Sequence, residues 1–399
     1  MTDNRTRWVI AGLLCVATTI NYIDRQTLSI LSPLLRKELH LSEYDYANIV
    51  TAFLVSYTVM YSAGGRVMDA LGVRLGLVLS LGWWSIATML TGFARGAMSL
   101  GAFRFLLGIG EPCVYPAGVK VCGEWFPPRL RATGTGIFSS GSTIGAILAP
   151  PLIAWLTIRF GWRYAFLIPG TLGLLWLPAW WLIYRPLAQV PVEARKPRLL
   201  DLLRRRTVWG LVLPRLLSDP VWYFYIFWLP DYLQRERHLS LAEIGFYGWI
   251  PFLFGDLGHL CGGMLSDSLV RRGLAPARAR ILVLVGVGCL APLGALAGVV
   301  PSAAWAIAVT CLVAFLAQCW ATNTATLTAD VIPNDATGSV FGLMGTAGSL
   351  SGACFAQVLG YVIHTFGYPA AFALAALLHP CAATVLFFVL RPIRRPHPE

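Results

Sequence analysis

Charge is what this chain has least of. Only 13% of its 399 residues are Asp, Glu, Lys or Arg, about half the roughly 25% of a soluble domain, which excludes a water-facing surface over most of the chain. Acidic residues are the scarcer sign, 19 against 31 basic. Nine cysteines are present but show no C-x-x-C or zinc spacing, which excludes a redox or metal framework and leaves them as small apolar packing residues. No serine-histidine, phosphate-loop or metal-spacing pattern occurs, which argues against an enzyme, and neither a metal nor a cofactor is expected. The first apolar segment is too long and too charged for a signal peptide and lacks an A-x-A cleavage site, so it is expected to stay in the membrane.

What fills the chain is apolar: 57% hydrophobic residues and a mean hydropathy of +0.65. A transmembrane helix needs roughly 20 mostly apolar residues. The chain offers such runs at 8–32, 46–66, 73–94, 97–121, 132–157, 163–184, 207–230, 243–266, 279–300, 303–328, 335–361 and 369–390. The expectation is an all-α membrane protein of twelve transmembrane helices. Basic residues crowd alternate connections, among them Arg66, Arg74, Arg129, Arg131, Arg204, Arg205, Arg206, Arg271 and Arg272, while the others hold only Arg36, Lys37, Arg95, Arg159, Arg163, Arg235 and Arg237. That bias puts both termini in the cytoplasm. The net charge of +12 thus reads as topology, and no nucleic-acid partner is expected.

The longest polar, proline-containing stretch divides six runs from six. It sets the expected organisation: an N-terminal six-helix bundle over 1–184, a cytoplasmic linker over 185–206 and a C-terminal bundle over 207–399. The halves echo each other. GRVMDALGVR (65–74) and GMLSDSLVRR (263–272) follow the second and eighth runs, and EWFPPRLRATGTG (124–136) faces DVIPNDATGSV (330–340). Two pseudo-symmetric halves repeated in parallel are the expected architecture.

The G-x-x-x-D-x-x-G-x-R loop after the second run resembles the signature of the major facilitator superfamily. NYIDR, RFLLGIGE, EWFP, FSSGSTIGAILAPPL and DPVWYFYIFWLPDYL resemble its anion:cation symporter family. Lys120 and LSDSLVRRG bring the likeness to the hexuronate transporter group. The resemblance covers the whole chain and implies a carrier in a bacterial inner membrane with its substrate site between the halves near the midplane. The loop motif departs at Ala70, where an arginine commonly follows the aspartate. Asp69, Arg74 and Arg131, with Asp267 and Arg271 in the second half, are the expected conformational loop residues.

Ionisable residues inside the membrane are rare and costly, and they face a bundle interior or a wet cleft. At about 1.5 Å of rise per residue, Asp24, Arg25, Tyr57 and Arg104 share one depth. Glu111 lies two turns beyond Arg104 on the same helix face, ahead of Pro112 and Pro116, each of which removes a backbone donor. Arginine stays protonated and offers a planar fork to a carboxylate, so Arg25 and Arg104 are the expected anion binders. Asp24 and Glu111 are the expected proton carriers. Tyr57 and Ser142 suit substrate hydroxyls, and Asn323, Trp222 and Lys120 are further binding candidates. Asp219 with Arg215, and Asp256 with His259, are spaced as within-helix pairs of open role.

The residues alone say anion plus proton; the resemblance adds a hexuronate such as glucuronate or galacturonate. The expected function is proton-coupled import by alternating access. The expected partners are a small organic anion, a proton and membrane lipid, with a single chain as the working unit. Another organic anion (an aldonate, an aldarate or an aromatic carboxylate) and a non-transporting membrane sensor are the alternatives. GEPCVYPAGVK keeps the first of these open, because it departs from the usual alanine- and asparagine-containing form of that segment.

Overall fold

A computed structural model of the chain describes residues 4–127, 130–186 and 199–390. The helices run α1 (Asn4–Ile30), α2 (Ser32–Glu38), α3 (Glu43–Thr91), α4 (Ala97–Gly110), α5 (Val114–Trp125), α6 (Arg131–Phe160), α7 (Tyr164–Ile183), α8 (Leu199–Leu203), α9 (Arg206–Arg235), α10 (Leu241–Tyr247), α11 (Ile250–Arg271), α12 (Pro276–Leu290), α13 (Ala303–Val331) and α14 (Asn334–Leu390). α3 bends sharply at Gly72 and α14 at Gly367, where the backbone leaves helical geometry. Counted on either side of those bends, with α4 and α5 as one interrupted span, the described residues hold the twelve long segments that the apolar runs predict. Most of the expected linker, 187–198, lies outside the described residues.

Eight stretches are long and apolar enough to cross a membrane, one of them the 54-residue Ala336–Val389. Their outward side chains are apolar, as with Met98, Leu175 and Leu182, which suits lipid as the solvent. α9 and α11 are not among the eight, because they carry Arg215, Asp219, Asp231, Asp256 and Asp267 within their lengths.

The connections repeat as the runs do. Among the described residues the positive-φ positions are His40 and His238, Gly72 and Gly273, and Gly161 and Gly367. Each pair lies about 200 residues apart. Each also falls at the same connection of six-span halves: after the first, second and fifth spans, and again after the seventh, eighth and eleventh. The first pair opens matching His-Leu-Ser stretches, in which Ser42 with Asp45 and Ser240 with Glu243 each form a reciprocal cap. Such a cap satisfies two otherwise orphaned backbone donors. Two halves built from one plan account for this; chance does not.

The chain forms two compact units. The first comprises Met1–Pro191, Ile226–Leu253 and Ala353–Thr365, the second Val192–Tyr225, Phe254–Gly352 and Phe366–Glu399. In the first, Trp84, Leu107, Phe138, Phe166 and Trp180 are buried, and Trp180 stacks on Trp176 and Tyr184. In the second, Leu202, Leu211, Leu284, Trp320, Leu327, Val340 and Leu386 make one continuous apolar core.

Candidate functional site

The site in the first unit is made by close helix approach. Gly141 and Gly145 of α6 lie flush against α1: an added Cβ would stand 2.2 Å from the Cys15 carbonyl oxygen at the first and 2.5 Å from that of Thr19 at the second. Gly108 of α4 does the same against α3, where a Cβ would meet Ser56 Oγ at 2.1 Å and the Phe53 carbonyl oxygen at 2.5 Å. Small residues let membrane helices approach this far. The result brings Arg25, Tyr57 and Glu111 into one compartment.

α4 stops at Gly110, and a short 3-10 turn over Glu111–Cys113 links it to α5. Pro112 lacks an N–H for the Gly108 carbonyl and Pro116 lacks one for its own fourth neighbour, so regular hydrogen bonding fails there. Ser80 of α3 donates to the Gly110 carbonyl oxygen at 2.6 Å, which steadies the break. Glu111 thereby sits on a rigid interruption and not on a sliding helix face.

Arg25 donates from Nε at 3.0 Å and from Nη2 at 2.7 Å, both to the single oxygen Oε2 of Glu111. Oε1 of that carboxylate has no hydrogen-bond partner. The pair is almost wholly enclosed, with Arg25 7% and Glu111 1% exposed. Tyr22, Phe53 and Tyr57 ring the guanidinium, with centroids 5.1, 5.7 and 4.8 Å away, and their faces stabilise a cation partly stripped of water. Asn21, one turn back on α1, accepts from Arg25 Nη2 at 3.4 Å.

Asp24 points elsewhere, as adjacent positions on a helix must. Its carboxyl is fully buried, with Thr88 and Trp84 of α3 as the side chains placed to donate to it and Glu111 and Arg104 within electrostatic reach. Arg104 is 2% exposed, donates from Nη1 to the Asp24 carbonyl oxygen at 3.2 Å and lies over the Phe166 ring at 5.5 Å. Arg104 on α4 and Glu111 on the turn that follows it thus both meet α1, the first on main chain and the second on a side chain.

The other predicted residues are dispersed. Ser142 of α6 is part-buried and donates to the Ser139 carbonyl oxygen at 2.7 Å, and Lys120 is half-buried on α5. Trp222 and Asn323 belong to the second unit. Asn323 is fully buried and donates to the Gly262 and Cys319 carbonyl oxygens at 3.0 and 2.9 Å.

Of the loop residues, the side chains of Asp69 and Arg131 lie outside the described residues. Arg74 donates to the Trp181 carbonyl oxygen at 2.5 Å and covers that ring at 4.2 Å. Asp267 pairs with Arg280 at 2.7 Å, Arg280 also reaches Asp330 at 3.5 Å, and Arg271 is exposed at the end of α11.

Sequence reasoning missed Asn21, Tyr22, Phe53, Trp84 and Thr88. It also missed a second charged cluster in the first unit. Arg36 pairs with Glu43 at 2.6 Å and with Asp231 at 3.8 Å, while Arg235 reaches Asp231 at 3.3 Å and also contacts Glu43. Beneath it Tyr46 donates to the Phe227 carbonyl oxygen at 2.6 Å. The available signal was charge at four-residue spacing near span ends.

Helices of this length, repeated on one plan and holding charges where lipid would not, define a membrane transport protein. The chain belongs to the Major Facilitator Superfamily, whose family model matches residues 14–356. It is a membrane transporter and not an enzyme. It is 31% identical to the hexuronate transporter of Escherichia coli strain K12, over 96% of this chain and 94% of that protein. It is also 31% identical to the galacturonate transporter of Dickeya chrysanthemi, over 72% and 90% respectively. Among solved structures, it matches an inward-facing, occupied bacterial homologue of the human lysosomal transporter Spinster with a TM-score of 0.79. That match has 21% identity and covers 99% of this chain and all of the other.

Proposed function

We propose that this chain imports a hexuronate such as glucuronate or galacturonate together with protons, by alternating access across a bacterial inner membrane. In this reading both termini are cytoplasmic and a single chain, embedded in lipid, is the working unit. The observation that carries the proposal is the buried Arg25–Glu111 pair within its aromatic ring.

Arg25 stays charged through the cycle. While Glu111 is ionised it occupies the guanidinium; a proton on Glu111 weakens that grip and releases the fork to a substrate carboxylate, a better match in shape. Tyr22, Phe53 and Tyr57 then offer apolar faces to the sugar ring. Asp24 is the second proton carrier, and Arg104, which holds the Asp24 backbone in position, is assigned to the substrate anion with Arg25. Ser142, Lys120, Asn323 and Trp222 are assigned to the remainder of the substrate.

The six-helix bundles 1–184 and 207–399, joined by 185–206, are the moving bodies, a division supported by the paired turns. Asp69, Arg74, Arg131, Asp267 and Arg271 are assigned to the cytoplasmic latch. Names of relatives that carry hexuronate and galacturonate support the substrate class. Another sugar-acid anion is the second reading, favoured by the departures in GEPCVYPAGVK.

The test is uptake of labelled glucuronate by proteoliposomes under an imposed inward pH gradient. Wild-type carrier accumulates substrate above equilibrium. Glu111→Gln exchanges substrate across the membrane but no longer accumulates it; normal gradient-driven accumulation by that variant removes Glu111 from the coupling.

A further inference from the structure

The second unit holds a polar constellation that the Arg25 site does not use. On α11, Gly255 faces Trp222 of α9 and Gln318 of α13: a Cβ there would lie 3.7 Å from Trp222 Cη2 and 3.2 Å from Gln318 Cγ. One turn along each helix the same three elements meet again. His259 follows Gly255 by four residues, Thr322 follows Gln318 by four, and Asp219 precedes Trp222 by three. In this second layer His259 Nδ1 is in hydrogen-bond contact with Thr322 Oγ1. Arg215 donates from Nε to Asp219 Oδ2 at 2.7 Å, and its charge is felt at His259. α14 closes the layer, since a Cβ on Gly348 would stand 1.9 Å from Asp219 Oδ2.

His259 is exposed, and the direction of that exposure decides its meaning. Phe254, Leu257, Leu260, Met264 and Leu265 are the large exposed apolar residues of α11 and mark the side suited to lipid. At 3.6 residues per turn, His259 lies about 180° round the helix from the centre of that stripe. An imidazole exposed opposite the lipid face, within electrostatic reach of Arg215, lies at membrane depth, where polar groups are placed for function. α9 carries a mark of such placement as well. Pro214 and Pro220 bracket the Arg215–Asp219 pair, and each leaves the carbonyl four residues earlier without its helical donor, an arrangement tolerated where protein or water satisfies it.

The chemistry of the layer narrows its ligand. Contact with Thr322 engages Nδ1 of the His259 ring, which leaves Nε2 as the atom to meet a ligand. Arg215 and Asp219 form an ion pair and cancel in charge. A surface with a hydrogen-bonding imidazole, an indole plate and a guanidinium already engaged by a carboxylate suits hydroxyl groups better than a second carboxylate. We infer that Trp222, His259 and Thr322 form a recognition site for the hydroxyl-bearing chain of a sugar monoacid. It grips the polyol, with the indole stacking on C–H faces, and disfavours dicarboxylic sugar acids. This inference rests on the sugar-acid reading of the carrier.

The experiment measures glucuronate uptake by proteoliposomes, with galacturonate and galactarate as competitors, for wild type, His259→Ala, His259→Gln and Trp222→Ala. Loss of one hydrogen bond corresponds to a KM rise of about tenfold. His259→Ala is expected to show it with the maximal rate within about twofold. His259→Gln, which keeps a donor and an acceptor, returns most of the affinity. Galactarate competes weakly with wild type, and Trp222→Ala raises KM for both hexuronates alike. A His259→Ala carrier with wild-type KM overturns the inference while leaving sugar-acid transport intact. A glutamine variant as impaired as the alanine one, with equal loss of thermal stability, also overturns it, because that pattern marks a structural histidine. Should wild type accumulate no sugar acid, the broader reading falls and takes this site with it.

Discussion

Arg25 answers why a chain so poor in charge spends an acid and a base side by side. The two adjacent side chains diverge, Asp24 toward Thr88 and Trp84 and Arg25 toward Glu111, so they meet different partners within the first unit. Replacing Arg25 by lysine keeps the charge but loses the planar fork and its stacking on Tyr57. Glucuronate affinity measured by calorimetry is expected to fall at least about tenfold, the size of one charge-assisted hydrogen bond; unchanged affinity would remove Arg25 from the anion site. The charged members of this site were legible because ionisable groups are conspicuous in apolar runs. Tyr22, Phe53, Trp84 and Thr88 were not, since aromatic and hydroxyl residues occur on any membrane helix and only packing reveals which face the charges. The pairing itself was also hidden: helical spacing joined Glu111 to Arg104, and the partner across α1 emerges only once α6 has pressed α1 into place.

Two contacts at the scale of helices carry separate predictions. Gly141 admits the α1 backbone, and a methyl group at 2.2 Å from the Cys15 carbonyl oxygen cannot be absorbed by a side-chain rotation. Gly141→Ala is expected to cost about 1–3 kcal/mol, read as a lower Tm in detergent together with reduced uptake. The ion cluster of Arg36, Glu43, Asp231 and Arg235 ties α2 and the start of α3 to the end of α9. Burial pushes the Glu43 carboxyl up, but hydrogen bonds and charge from Arg36 and Arg235 outweigh it and hold the group below its ordinary value. A carboxyl lowered in the folded state stabilises above its unfolded value and loses that contribution as pH falls through its folded one. Thermal melts should therefore show wild type losing stability below about pH 4. Glu43→Gln should melt lower at pH 7 and lack that acid limb; a parallel pair of curves would dismiss the cluster as a stabiliser. Helix existence was readable from apolar length, and the α4–α5 break from Pro112 and Pro116. The ion cluster was not, because its charges come from connections some two hundred residues apart.

Across the whole molecule the clearest regularity lies in the turns. His40 and His238, both in left-handed geometry, should respond alike: His40→Val and His238→Val each force a β-branched residue where it is a genuine outlier. Matching falls in Tm are expected, and an effect confined to one position would weaken the common plan. Loop motifs had already suggested two halves from sequence, but the His-Leu-Ser pair escaped notice because short connections carry no apolar period to align. The asymmetric hold on Glu111 has a kinetic corollary for the proposed proton-coupled cycle. With both guanidinium bonds drawn to one oxygen, the vacant oxygen can receive hydrogen before the cation lets go. Occupancy should then be sequential, acid equivalent before cargo, so that half-saturation for substrate climbs as the medium turns alkaline while turnover at saturation holds steady.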